Sequence, residues 1–99
     1  MSIRTFKVAV PFNRYYENGK LRAEGNYEYG EPNGSHKWFY EDGNIEGECN
    51  YKDGEKDGEK KEYYGNGDIK SVSIYKKGRF INTIKYDQSG KEIPRQKVR

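Results

Sequence analysis

Apolar and polar positions alternate along this chain in short runs, and the runs recur. Leu21, Ala23, Gly25 and Tyr27 occupy every second position. Ile45, Gly47, Cys49 and Tyr51 do the same, followed by Ile69, Ser71, Ser73 and Tyr75. A period of two places each set on one face of a β-strand. Each set holds an aliphatic residue, two small residues and a tyrosine. The small pair leaves room for aromatic rings from the adjacent hairpin to lie across the sheet. The intervening positions are polar in the first two units: Arg22, Glu24, Asn26 and Glu28, then Glu46, Glu48, Asn50 and Lys52.

The pattern has a period of 24 residues. Tyr15-Tyr16-x-Asn18-Gly19-x-Leu21, Phe39-Tyr40-x-Asp42-Gly43-x-Ile45 and Tyr63-Tyr64-x-Asn66-Gly67-x-Ile69 superpose, as do Gly30, Gly54 and Gly78. Asn-Gly and Asp-Gly pairs between alternating runs predict two-residue hairpin turns with positive φ. Glycine marks the second connections as well. Strands are predicted near 21–29, 35–40, 45–51, 59–64, 69–75 and 79–86, with no helix. Phe6, Val8 and Val10 alternate into Pro11, which predicts a strand over 3–10 within an N-terminal cap of residues 1–14. After Tyr86 a fourth unit begins and fails: Ile93 keeps the spacing from Ile69, while Gly90 arrives one place early. One domain is expected over residues 1–93, followed by a basic tail over 94–99.

Composition sharpens this picture. Hydrophobic residues make up 31% and charged residues 35% of the chain, with a mean hydropathy of -1.31. Such values alone suggest disorder. Aromatic residues at 15%, ten of them tyrosines, oppose that, because each ring carries much apolar area and a polar tip. The expectation is a thin, tyrosine-rich array with a shallow core. The single cysteine, Cys49, excludes an intrachain disulfide and reads as a small residue at a tight strand position. No stretch has the character of a signal peptide or a membrane helix, so a cytoplasmic location is the expectation.

The repeated Tyr-Tyr-x-Asn-Gly-x-Leu pattern, with Gly-x-Tyr-x-x-Gly after it, resembles MORN-type repeats over residues 12–93. In particular it resembles the bacterial variant associated with the antitoxin component of toxin–antitoxin systems. The resemblance implies an all-β fold: an elongated single-layer antiparallel meander of stacked β-hairpins, with three 24-residue repeats and a partial fourth. It also implies an interaction module, and it carries over no catalytic residue.

No chemical constellation survives inspection. Asp53-Gly54-Glu55-Lys56-Asp57-Gly58 begins like a calcium loop, but position twelve is Tyr64 rather than a bidentate Glu. The glycine pairs lack the Gly-Lys-Ser/Thr and the following helix of a phosphate loop. His36 is the only histidine and reads as a surface residue. Acid pairs such as Glu46 and Glu48 recur as Glu24 and Glu28, which marks a solvated face. No catalytic group, metal or cofactor is predicted, and an enzyme is the least favoured class.

The departures from the repeat point to function. Val72 and Ile74 stand where units one and two carry Glu and Asn. Trp38 matches Arg14 and Glu62, so it is not a repeat-wide position. Adjacent strand residues face opposite ways, so one aromatic row of the doublets must point away from the core. Charge segregates too, with seven basic and fourteen acidic side chains over 15–69 but nine and two over 70–99. The predicted partner site is Trp38, Phe39, Tyr63, Val72, Ile74, Lys76, Lys77, Arg79 and Phe80. The predicted partner is a protein such as a toxin, effector or defence protein, occluded by a non-enzymatic antitoxin-type or phage-type inhibitor. Nucleic-acid binding by the basic stretch from Lys70 to Arg99 is the second reading. Self-association through open sheet edges is the third.

Overall fold

The computed structural model describes residues 9–94. They form one antiparallel sheet of nine strands and no helix. The strands are β1 (Ala9–Tyr15), β2 (Leu21–Glu28), β3 (Glu31–Pro32), β4 (Gly34–Phe39), β5 (Ile45–Lys52), β6 (Glu55–Tyr63), β7 (Ile69–Lys76), β8 (Arg79–Tyr86) and β9 (Glu92–Ile93). Each strand pairs with its sequence neighbours, with short β3 appended to β2, so the sheet is a meander. Its extents are 60 × 40 × 18 Å. The smallest dimension leaves room for one sheet and its side chains, since a second sheet would add about 10 Å.

Register defines the two faces. Phe12 lies opposite Gly25, His36 opposite Cys49, Lys60 opposite Ser73, and Ser73 opposite Thr83. This front face also carries Ala23, Trp38, Gly47, Glu62 and Ser71, and the row Tyr27, Tyr51, Tyr75 and Phe80. The core sits here and is shallow. Among the described residues Cys49, 3% exposed, is the buried hydrophobic residue, and Ser71 and Ser73, two strands away on β7, are buried as well.

The predicted room for aromatics is occupied. A Cβ on Gly25 would fall 2.6 Å from the His36 ring, and one on Gly47 would fall 2.7 Å from the Trp38 ring. His36 is therefore not a surface residue. It is 9% exposed, with Phe12, Tyr27 and Tyr51 rings 5.2, 5.9 and 4.9 Å away, and its Nε2 lies 3.0 Å from the Asn26 carbonyl. Missing side chains on one strand are replaced by rings from the next.

The turns depart from expectation. At Asn18-Gly19, Asp42-Gly43 and Asn66-Gly67 only the glycine has positive φ (85°, 96° and 95°). Gly19 N–H donates to the Tyr16 carbonyl and Tyr16 N–H to the Lys20 carbonyl, and the next two units repeat this. That is the longer loop, a tight turn followed by a left-handed glycine. The Asn or Asp oxygen accepts from the amide two residues on, at 2.9 Å in each unit, which holds it out of the left-handed region. The two-residue turns are instead Tyr29-Gly30, Asp53-Gly54 and Lys77-Gly78, with φ positive at both residues.

A bulge follows each longer loop, leaving Arg22, Glu46 and Lys70 outside the ladder. Leu21, Ile45 and Ile69 therefore lie beyond a kink rather than continuing the small-residue column. At the ends, β1 runs through Pro11 to Tyr15 instead of stopping at Pro11. As the first strand of the ladder, β1 tolerates the missing N–H. The expected strand residues Phe6 and Val8, and the tail after Pro94, lie outside the described residues. The fourth turn does close, Asp87 N–H donating to the Lys91 carbonyl at 2.8 Å. Glu92, not Ile93, takes the register place of Ile69.

Replacing Gly47 by Ala should cost about 1–3 kcal/mol, because the Trp38 ring must move. Gly65→Ala, where an added Cβ meets nothing within 4 Å, is the control. Urea unfolding followed by Trp fluorescence checks both.

Candidate functional site

The predicted partner residues do not form one site. Trp38 and Phe80 are on the front face. Phe39, Tyr63, Val72 and Ile74 alternate onto the back face, as does Lys76. Lys77 and Arg79 sit at the tip between β7 and β8, with Arg79 opposite Lys76. Trp38 is half-buried over Gly47, so it packs within the sheet instead of standing out as an anchor. Phe80 is 52% exposed and meets the Tyr75 ring edge-on at 5.7 Å.

The aromatic doublets divide their work. Tyr15, Phe39 and Tyr63 form the outward row on the back face. Tyr16, Tyr40 and Tyr64 turn their hydroxyls inward along the array. Tyr16 donates to the Phe39 carbonyl at 2.5 Å, Tyr40 to Tyr63 at 2.7 Å, and Tyr64 to Tyr86 at 2.7 Å. Each unit is thus tied to the first aromatic of the next. Cations at two bulge positions lie over this row, Arg22 5.6 Å from the Tyr16 ring and Lys70 5.8 Å from the Tyr64 ring. Asp87 takes the fourth tyrosine position and ends the series. Its carboxylate accepts from the Ser89 hydroxyl at 2.6 Å and from the Ser89 and Lys91 amides. The Ser89 hydroxyl above all holds that carboxyl below its usual range.

A second seam runs along the opposite margin. Gly54 N–H donates to the Pro32 carbonyl and Asp53 N–H to Asn33 Oδ1. One unit on, Gly78 N–H donates to Lys56 and Lys77 N–H to Asp57 Oδ1.

The back face carries a charge ladder that linear reading missed. Glu24, Lys37, Glu48 and Lys61 face one another in register across β2, β4, β5 and β6. Opposite charges in register favour this pairing of strands, while the close ion pair of Lys61 is with Glu59 on its own strand, at 3.9 Å. Tyr63 donates to Glu48 Oε1 at 3.2 Å. Burial, then the Glu48 charge, pushes the Tyr63 hydroxyl up from its usual range. The ladder stops at Val72, which faces Ile84, while Ile74 faces Asn82. Val72, Ile74 and Ile84 are half-buried, and no described element crosses them. The signal for the ladder was in the chain as alternating charges, but only register aligns residues 24, 37, 48 and 61.

A family model for the MORN repeat variant matches residues 11–29, 32–53 and 56–77. The chain belongs to the MORN repeat variant family. The three matches coincide with the three hydroxyl-linked units. Comparison with curated proteins and with solved structures returned no match. MORN repeats often serve as protein- or membrane-binding modules, and a sheet with two open faces is compatible with non-enzymatic binding. Among the described residues no helix is long and apolar enough to cross a membrane, and no three His, Cys, Asp or Glu side chains gather as metal ligands.

Cys49 is packed between His36 and Lys60 in the ladder. Burial raises its thiol above the usual range, outweighing Lys56 and Lys60, which lower it. A thiol held protonated and covered reacts slowly. Alkylation of Cys49 at neutral pH should therefore be at least tenfold slower in the native protein than in urea, as read by mass spectrometry.

Proposed function

We propose that this MORN protein is a non-enzymatic protein-binding module that occludes its partner, in the manner of an antitoxin or phage-type inhibitor acting in the cytoplasm. One observation carries the reading: the charge ladder of the back face ends in Val72, Ile74 and Ile84, an apolar patch with a charged rim. That arrangement suits a protein interface, in which an apolar centre excludes water and surrounding charges set encounter rate and specificity. Phe39 and Tyr63 extend the same face and offer large contact area at little torsional cost.

Val72→Glu with Ile74→Glu should abolish stoichiometric capture of a partner from host lysate while the far-ultraviolet circular dichroism stays that of the parent. Capture that survives both substitutions contradicts the reading.

A second reading is supported by the tip between β7 and β8, where Lys76, Lys77 and Arg79 lie beside Tyr75 and Phe80. Cations interleaved with rings suit single-stranded nucleic acid. That reading requires a gel shift at low salt that weakens steeply as salt rises.

A further inference from the structure

The front-face tyrosines Tyr27, Tyr51 and Tyr75 differ from the other repeated tyrosines in one respect. Tyr16, Tyr40 and Tyr64 donate their hydroxyls to backbone carbonyls. The hydroxyls of Tyr27, Tyr51 and Tyr75 make no hydrogen bond among the described residues, and none is a buried unsatisfied group. Tyr27 is exposed and Tyr51 and Tyr75 are half-buried in a strip that runs across the strands.

The strip has a fixed pitch. Ala23 faces Trp38 and Trp38 faces Gly47; Gly47 faces Glu62 and Glu62 faces Ser71. Ala23, Gly47 and Ser71 are therefore level, two strands apart. The tyrosines follow the same repeat beyond an irregularity in the intervening strand, Tyr27 facing Pro32, Tyr51 facing Gly34 and Lys56, and Tyr75 facing Gly58. With strands about 4.8 Å apart, the tyrosines recur every ~9.6 Å. The two ring-to-ring steps from Tyr27 through His36 to Tyr51, 5.9 and 4.9 Å, are long enough to span this pitch.

That pitch selects among extended ligands. A β-strand repeats its side-chain direction about every 6.7 Å, and an α-helix turns every 5.4 Å. Neither matches. Polyproline II repeats every three residues at about 3.1 Å each, or ~9.3 Å. Over the two intervals from Tyr27 to Tyr75 the mismatch accumulates to only about 0.6 Å. Polyproline II also makes no internal hydrogen bonds, so its carbonyls are open to outside donors. Rings that pack against prolines and hydroxyls that donate to carbonyls are what the strip offers.

Charge gives the ligand a direction. Lys56 Nζ lies 4.9 Å over the Tyr75 ring on the front face, and the Lys77 turn forms the adjacent tip, with Lys76 and Arg79 turned to the back face. Of the acids nearby, Asp57 accepts from Lys77 N–H, and Glu55 lies against Gly78. At the Tyr27 end the acids Glu28 and Glu31 pair with each other on the back face, so Lys56 is the charge that distinguishes the two ends of the strip. We propose that Tyr27, Tyr51 and Tyr75 form a docking strip for a proline-rich segment in the polyproline II conformation, with acidic residues at the end that meets Lys56. This strip is separate from the Val72 patch on the opposite face.

The test titrates the whole protein, by amide chemical shifts, with a capped peptide of six prolines followed by two glutamates. Two controls replace the prolines by alternating glycine and serine, or the glutamates by lysines. The proline–glutamate peptide should bind at least tenfold more tightly than either control, with shifts on β2, β5 and β7. Tyr27→Phe, Tyr51→Phe and Tyr75→Phe together remove three donors, and should weaken binding by about tenfold or more. Val72→Glu with Ile74→Glu should leave this binding unchanged, which separates it from the back-face reading. Equal binding of the glycine–serine control, an undiminished affinity in the triple variant, shifts confined to the back face, or displacement by a single-stranded oligonucleotide at equal ionic strength would each overturn the proposal.

Discussion

The bond from a turn tyrosine hydroxyl to a carbonyl one unit ahead is the constraint on which this fold depends. A single sheet with 18 Å as its thinnest extent has no second layer to close a core. Stability must then come from each hairpin gripping the next, the nearest-neighbour logic of repeat arrays. Tyr16, Tyr40 and Tyr64 supply that grip on one margin. Asn33 and Asp57 supply it on the other, by accepting from the following turn. Both devices recur with the repeat, although the last hydroxyl bond, Tyr64 to Tyr86, spans 22 residues where the first two span 23.

With the margins tied, the centre of the front face can use small residues. Gly25 and Gly47 accept the rings of His36 and Trp38 across the ladder. In the third unit Lys60 and Glu62 replace those rings, 3.9 Å apart, and Ser71 and Ser73 replace Gly47 and Cys49. The Ser73 and Thr83 hydroxyls lie 2.9 Å apart. The face therefore grades from aromatic to polar along the array. The back face grades the other way, from a charge ladder to Val72 and Ile84. Two surfaces with opposite gradients suit a module that presents different chemistry on each side.

Much of this was legible in the sequence. Period-two alternation and the glycine-marked turns predicted the strands, and the resemblance to MORN-type repeats implied the meander. The small pairs predicted room for rings, because size alone decides that. The turn types were misread, since an Asn or Asp that accepts from its own backbone prefers a right-handed conformation and leaves positive φ to the glycine. His36 was misread because polarity suggested exposure, whereas register set it among Phe12, Tyr27 and Tyr51. The predicted partner residues are divided between the two faces for the same reason. Trp38 and Phe39 are neighbours in the chain but face opposite ways, and a linear list cannot separate the two sides of a sheet one layer thick.

Equilibrium urea unfolding of Tyr16→Phe, Tyr40→Phe, Tyr64→Phe and the triple variant tests the central claim most directly. Each removes one hydroxyl and leaves the ring. The account predicts a loss of about 1 kcal/mol for each single change. It also predicts a triple loss at least equal to their sum, at an unchanged denaturant slope. A triple variant as stable as the parent would show that the units are held together by something other than this bond.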